Sequence, residues 1–226
     1  MIRAFVFPGQ GSQFVGMGAD LATAFPVARQ VFEEVDDALG QNLMKIMFGG
    51  ADDALRLTEN AQPALMAVSM AVIRVIEAEG GVKIADAAAC VAGHSLGEYS
   101  ALAAAGAFSL ADTARLLKAR GEAMQVAVPV GEGAMAAILG LDLADAELIA
   151  AEAAEGEVCD VANDNSNGQI VVSGNTAAVE RAIALAAERG AKRSIMLPVS
   201  APFHCALMEP AAEIMTYALA QTETRR

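Results

Sequence analysis

Apolar and polar positions along this chain follow two different rhythms, and the change falls near residue 130. In the first stretch, residues 3–7 (RAFVF) form a short apolar run that stops at Pro8 and opens into the loop GQGSQ, the profile of a strand ending in a turn. Apolar residues then recur at helical spacing over 26–39 and again over 63–79, where Gly80-Gly81 supplies a stop. The run AAACVAG at 87–93 reads as a second buried strand, and helices are predicted after it at 96–105 and 109–126. Ser109 followed by Asp112 is a helix-start signature for the second of these.

Beyond VPVGEG the elements become shorter and alternate quickly. The pattern predicts a strand at 134–139, a helix at 144–155, a strand at 158–163, a turn at NDNSNG, a strand at 169–173, a helix at 177–189 and a strand at 194–199. The order β-α-β-β-α-β is the ferredoxin-like arrangement. Gly131, Gly133 and Pro198 punctuate its ends, so a ferredoxin-like subdomain at 128–199 is expected inside an α/β catalytic subdomain built from 1–127 and 200–226. Only two clear strands are left for the larger subdomain. Two parallel strands do not make a covered sheet, and the expectation is a larger subdomain that lacks its C-terminal part or borrows a strand.

Composition narrows the function classes. With 226 residues, 55% of them apolar and many of those alanine, the chain can bury a large, helix-rich core. A formal net charge of -13, without a basic stripe interleaved with aromatics, argues against nucleic-acid binding. An anionic partner would have to meet a local basic patch, and the candidates are Arg115, Lys118 and Arg120, or Arg189, Lys192 and Arg193. The longest stretch free of charged side chains, 4–19, is broken by Pro8, Gly9, Gly11, Gly16 and Gly18, so neither a membrane span nor a secretory signal is expected. A cytoplasmic protein, monomeric and without membrane contact, is the expectation. Cys90, Cys159 and Cys205 are scattered, odd in number and without a second ligand at metal spacing, which predicts reduced, mostly buried thiols and no metal.

One short motif carries chemistry. Gly93-His-Ser95-Leu-Gly97 places a serine between glycines at a predicted strand-turn-helix junction, the setting of a nucleophile elbow. A serine hydroxyl needs a base, and imidazole is the usual one. The chain has two histidines. His94 adjoins Ser95, and neighbouring side chains diverge at a sharp turn. His204, in the loop APFHC after the inserted unit, is the better candidate base. Acyl transfer also needs two N–H donors for an oxyanion. Leu96, after the nucleophile and at a helix start, offers one backbone donor; Gln10, in the glycine-rich loop after the first strand, is the candidate for the other.

The segments FVFPGQGSQ, QPAL, AGHSLGEYSAL, ARGEAMQ, GAMAAILGL, GQIVVSG, AKR and LPVSAPFHCALM, in this order, resemble the malonyl-CoA:acyl carrier protein transacylase family over residues 3–215. The resemblance implies an α/β-hydrolase-like large subdomain with the ferredoxin-like one inserted before the histidine. It implies Ser95 as nucleophile, His204 as base, and the N–H groups of Gln10 and Leu96 as oxyanion donors. It further implies that Arg120 grips the free carboxylate of malonyl, and that Phe203 limits bulk at the malonyl α-carbon. Malonyl-CoA and acyl carrier protein would be the partners, with no cofactor, since the coenzyme A thioester is itself the substrate. The family continues past the point where this chain stops, with a segment that orients the histidine, so the resemblance puts activity of the shorter chain in question. Two other classes fit the same serine: a serine thioesterase or other hydrolase, which would not need Arg120, and an inactive module that only binds carrier protein.

Overall fold

The structure, a computed structural model, describes residues 2–129, 131–199 and 201–225. The chain is a mixed α/β protein that divides into two compact units, Met1–Glu122 with Met215–Arg226, and Ala123–Ile214.

In the first unit β1 (Ala4–Phe7) is followed by α1 (Ala19–Ala24), α2 (Pro26–Leu39), α3 (Leu43–Gly49), α4 (Asp52–Arg56), α5 (Thr58–Gly80) and α6 (Ile84–Ala87). Then come β2 (Cys90–Gly93), α7 (Gly97–Ala104) and α8 (Leu110–Ala127), which runs past the end of the unit. Pro26 opens α2, where its missing N–H costs nothing, and Gly40 closes it in the left-handed conformation. α5 starts a turn earlier than the apolar pattern predicts and carries Pro63 inside it. It is long and apolar enough to cross a membrane by length and composition, yet Leu65, Met66, Ala67, Met70 and Ala71 are buried in the core against Val31, Phe32 and Val35 of α2. At α8 the expected start signature forms: Ser109 Oγ accepts from the Asp112 N–H at 3.0 Å and donates to the Asp112 carboxylate at 2.6 Å. The short helices α1, α3, α4 and α6 carry too few turns to register as a periodic pattern.

β1 and β2 pair in parallel, Ala4 opposite Cys90 and Phe7 opposite Gly93. One face of this pair, through Phe5, Phe7 and Val91, packs on Ile73, Ile84 and Ala101. The other face is open: Val6 is 73% exposed, and Cys90 and Ala92 are exposed beside it. The expectation of a buried second strand is therefore corrected, and of the three thiols expected to be mostly buried Cys90 is exposed. A strand alternates its side chains, and only one side of this pair meets a packing layer.

The second unit contains β3 (Gly133–Leu139), α9 (Leu143–Ala154), β4 (Cys159–Ser166), β5 (Gln169–Asn175), α10 (Thr176–Glu188) and β6 (Arg193–Met196), then a 3-10 turn at Ala206–Met208 and α11 (Glu209–Gln221), which passes into the first unit at Met215. Its antiparallel sheet has the order β4-β5-β3-β6, the ferredoxin-like order, with β5 and β3 paired in the middle and β4 and β6 at the edges. β3 is apolar throughout because both its faces are covered. Ala136 and Ile138 meet the helix-side cluster with Ile149, Ala178 and Ala182, while Met135 and Ala137 point into a second cluster with Met124, Phe203 and Met208. That second cluster explains why the compact unit reaches from Ala123 to Ile214, beyond the expected 128–199. Ser200, at the expected second junction, lies outside the described residues. The predicted turn NDNSNG is mostly strand: β4 runs to Ser166 with register shifts at Val161/Asn163 and Asp164/Ser166. Bulges let a polar, turn-prone sequence stay paired.

Candidate active site

The serine motif folds as a sharp elbow. β2 ends at Gly93, α7 begins at Gly97, and Ser95 between them has φ 52, in the left-handed region that costs a side chain about 1–2 kcal/mol. Both flanking glycines are required by space. A Cβ on Gly93 would sit 1.9 Å from the Gly97 carbonyl carbon, and one on Gly97 would sit 2.4 Å from the Phe7 oxygen. The end of β1 therefore runs directly against the elbow. Gly9 continues this contact, since a Cβ there would meet His94 Nδ1 at 2.5 Å and the His94 oxygen at 2.9 Å. Gln10 follows at once, so the loop expected to carry an oxyanion donor is brought to the serine turn. Among the described residues neither the Gln10 N–H nor the Leu96 N–H has a protein acceptor.

Arg120, from α8, reaches the same place. Its Nη2 donates to Ser95 Oγ at 3.2 Å, its Nη1 donates to Gln62 Oε1 at 2.7 Å, and the guanidinium lies 5.8 Å from the Tyr99 ring centre. Burial lowers the Arg120 pKa from its ordinary value, with Tyr99 and Glu98 partly opposing that shift. Arginine nevertheless stays a cation in proteins. Among the described residues no carboxylate pairs with it. Its basic neighbours on α8 are engaged elsewhere: Arg115 pairs with Asp112, and Lys118 with Glu59 and Glu122. In the second unit Arg189 pairs with Glu152. A partly buried cation without a carboxylate partner among the described residues, touching a strained serine, can take a negatively charged group.

Sequence reasoning did not single out the polar side chains that hold Arg120. Thr58 (0% exposed) and Gln62 (1% exposed) sit in the first turns of α5, inside the apolar core. Thr58 Oγ1 donates to Gln10 Oε1 at 2.9 Å and accepts from Gln62 Nε2 at 2.9 Å. The available signal was a threonine and a glutamine in the otherwise apolar opening of a core helix, because buried polar groups need partners.

His204 and Phe203 belong to the second unit. His204 is exposed and has φ 59, and Phe203 is buried among Ala201, Met208 and Val171. Among the described residues three non-glycine residues have positive φ, and two of them are Ser95 and His204. Such strain concentrates where side chains must be aimed for chemistry. Among the described residues no group of three or more His, Cys, Asp or Glu side chains is placed to hold a metal.

The acyl transferase domain family matches residues 4–226. The malonyl CoA-acyl carrier protein transacylase of Escherichia coli strain K12 is 51% identical over 218 residues, covering 96% of this chain and 69% of that protein. The chain belongs to the malonyl-CoA:acyl carrier protein transacylase family. Solved structures agree. The acyl-carrier-protein-S-malonyltransferase from Bartonella henselae is 60% identical with a TM-score of 0.96, over 99% of this chain and 71% of that one. A malonyl-transacylase in complex with a type II PKS acyl-carrier protein is 47% identical with a TM-score of 0.95, over all of this chain (100%) and 72% of that one.

Proposed function

We propose that this chain moves a malonyl group from malonyl-CoA to the phosphopantetheine thiol of acyl carrier protein through an ester on Ser95, in the cytoplasmic synthesis of fatty acids. The carrying observation is Arg120: a partly buried cation with no carboxylate partner among the described residues, 3.2 Å from Ser95 Oγ. A malonyl thioester brings the missing carboxylate on one end and the reacting carbonyl on the other. A guanidinium grips a carboxylate through two parallel hydrogen bonds, whereas an uncharged acyl group would leave the cation without an anion.

The proposed reaction is a two-step transfer. His204 takes the Ser95 proton as the serine oxygen attacks the thioester carbon; the oxyanion accepts from the Gln10 and Leu96 N–H groups; its collapse breaks the C–S bond and releases coenzyme A, which recovers the proton. The carrier-protein thiol then gives its proton to His204, attacks the malonyl ester and leaves Ser95 free. The acyl donor is a substrate, and the scheme uses no cofactor or metal. Phe203, fixed by its packing with Met208 and Val171, is proposed to limit bulk at the malonyl α-carbon. A hydrolase of uncharged acyl thioesters would give Arg120 nothing to bind.

Product analysis tests the scheme. Incubation with malonyl-CoA and carrier protein is expected to yield malonyl carrier protein in amounts matching the coenzyme A released. Free malonate as the main product would replace transfer with hydrolysis.

A further inference from the structure

We infer that Thr58 is a positioning residue for this reaction: its hydroxyl joins the Gln10 loop and the Arg120 guanidinium into one hydrogen-bonded frame around Ser95. The inference rests on the transacylase reading of the site and adds a residue to it. A threonine hydroxyl has one donor and can accept more than once. Here the donor goes to Gln10 Oε1 and the oxygen accepts from Gln62 Nε2, both at 2.9 Å, with Thr58 fully buried. Gln62 passes the connection on through its Oε1 to Arg120 Nη1 at 2.7 Å. The chain of bonds therefore runs from the residue offering an oxyanion donor to the residue offering the carboxylate grip, and the hydroxyl is its branch point.

A second contact fixes the same position from the backbone. Gly121, next to Arg120, lies so close to the start of α5 that a Cβ there would sit 2.8 Å from the Thr58 backbone carbonyl oxygen and 2.4 Å from Glu59 Cα. The main chain of α8 thus rests on Thr58 while its side chain at 120 is tied to Thr58 through Gln62. The Gln10 loop, in contrast, is a glycine-flanked turn with few other ties: Gly11 N–H donates to Gln13 Oε1 at 2.7 Å, and Gly9 abuts His94. Without the Thr58 bond, the Gln10 side chain loses this anchor and its N–H loses its aim. An oxyanion donor helps only when it already points at the developing charge.

The test is the rate of malonyl ester formation on Ser95 across malonyl-CoA concentrations, for the parent chain, Thr58→Val, Thr58→Ser and Gln10→Met. Valine keeps the shape and removes the hydroxyl. We expect the saturating rate of Thr58→Val to fall about tenfold, less than the loss from deleting an oxyanion donor outright, with the half-saturating concentration changed less than about threefold. Thr58→Ser should recover the rate to within about twofold, and Gln10→Met, which keeps the backbone donor, should reproduce the loss. Because both variants cut the same bond, the double variant should be no slower than about tenfold, not a hundredfold. A Thr58→Val rate within twofold of the parent, a serine variant as slow as valine, or multiplying losses would overturn the inference. If Thr58→Val does not fold, Gln10→Met decides alone, and a parent-like rate there overturns it. A parent chain that takes no malonyl on Ser95 is a different failure, because it overturns the transacylase reading beneath.

Discussion

Replacing Arg120 with methionine separates recognition of the acyl group from the chemistry on it. The side chain keeps most of its stem and loses its charge and its bonds to Gln62 and Ser95. For malonyl-CoA the loss is the grip on the carboxylate: two charge-assisted hydrogen bonds at about 2 kcal/mol each, less about 1 kcal/mol for the Ser95 contact that the guanidinium gives up on binding. The net, about 3 kcal/mol, is roughly a hundredfold in the efficiency of Ser95 acylation. Acetyl-CoA has no carboxylate to lose, so its rate should change less than about threefold, and the preference for malonyl should largely disappear. Folding suffers as well. Loss of the hydrogen bond that Arg120 donates to Gln62 Oε1 and of the Tyr99 contact costs about 1–3 kcal/mol, so the melting temperature should drop by several degrees and the assay belongs well below it. Acyl-enzyme formation by intact mass, timed with each thioester, reads the two rates directly. Equal losses for malonyl and acetyl would refute the reasoning, since they would make Arg120 a support for the elbow and not a carboxylate holder.

Further outcomes follow from the elbow and the thiols. Ser95→Gly and Ser95→Ala both remove the proposed nucleophile, but at φ 52 glycine is relaxed and alanine is not, so the glycine variant should melt higher, by about 0.5–1 kcal/mol of stability; equal melting would deny the strain. Gly97→Ala drives a Cβ to 2.4 Å from the Phe7 oxygen, and about 3 kcal/mol or more should be lost as β1 and α7 are forced apart. Burial raises the Cys159 thiol to about 11, with Asp160 adding to the shift. At pH 8 the exposed Cys90 should therefore react with a thiol reagent while Cys159 stays silent. The same shift sets a pH slope: the native state keeps that proton longer than the unfolded chain, so its contribution to stability is intact at pH 8 and fades as pH rises from about 9 to about 11. A melting temperature flat across that window in the parent, with no change on Cys159→Ala, would contradict this.

Much of the fold was legible because it rests on local rules. Ser109 and Asp112 announced α8, Gly80-Gly81 ended α5, and alternation of short elements gave the βαββαβ order that the sheet confirms. Elements that depend on tertiary support were not legible. The apolar pattern starts α5 only at residue 63, and packing under Gly121 shows that Thr58 to Gln62 are its first turns. The polar NDNSNG looked like a loop because strand pairing with β5 overrides its turn chemistry. At the site, the serine, its glycines and the arginine could be named from motif and resemblance. The chain of bonds through Gln62 and Thr58 could not, because partners 48 and 58 residues apart in sequence leave no local trace.

The most direct test of the central claim is intact mass after brief incubation with malonyl-CoA, on this chain and on Ser95→Ala. The account predicts one malonyl group on the parent, localised to the peptide containing Ser95, and none on the variant. A folded parent chain that stays unmodified, or an adduct that persists on Ser95→Ala, would contradict it.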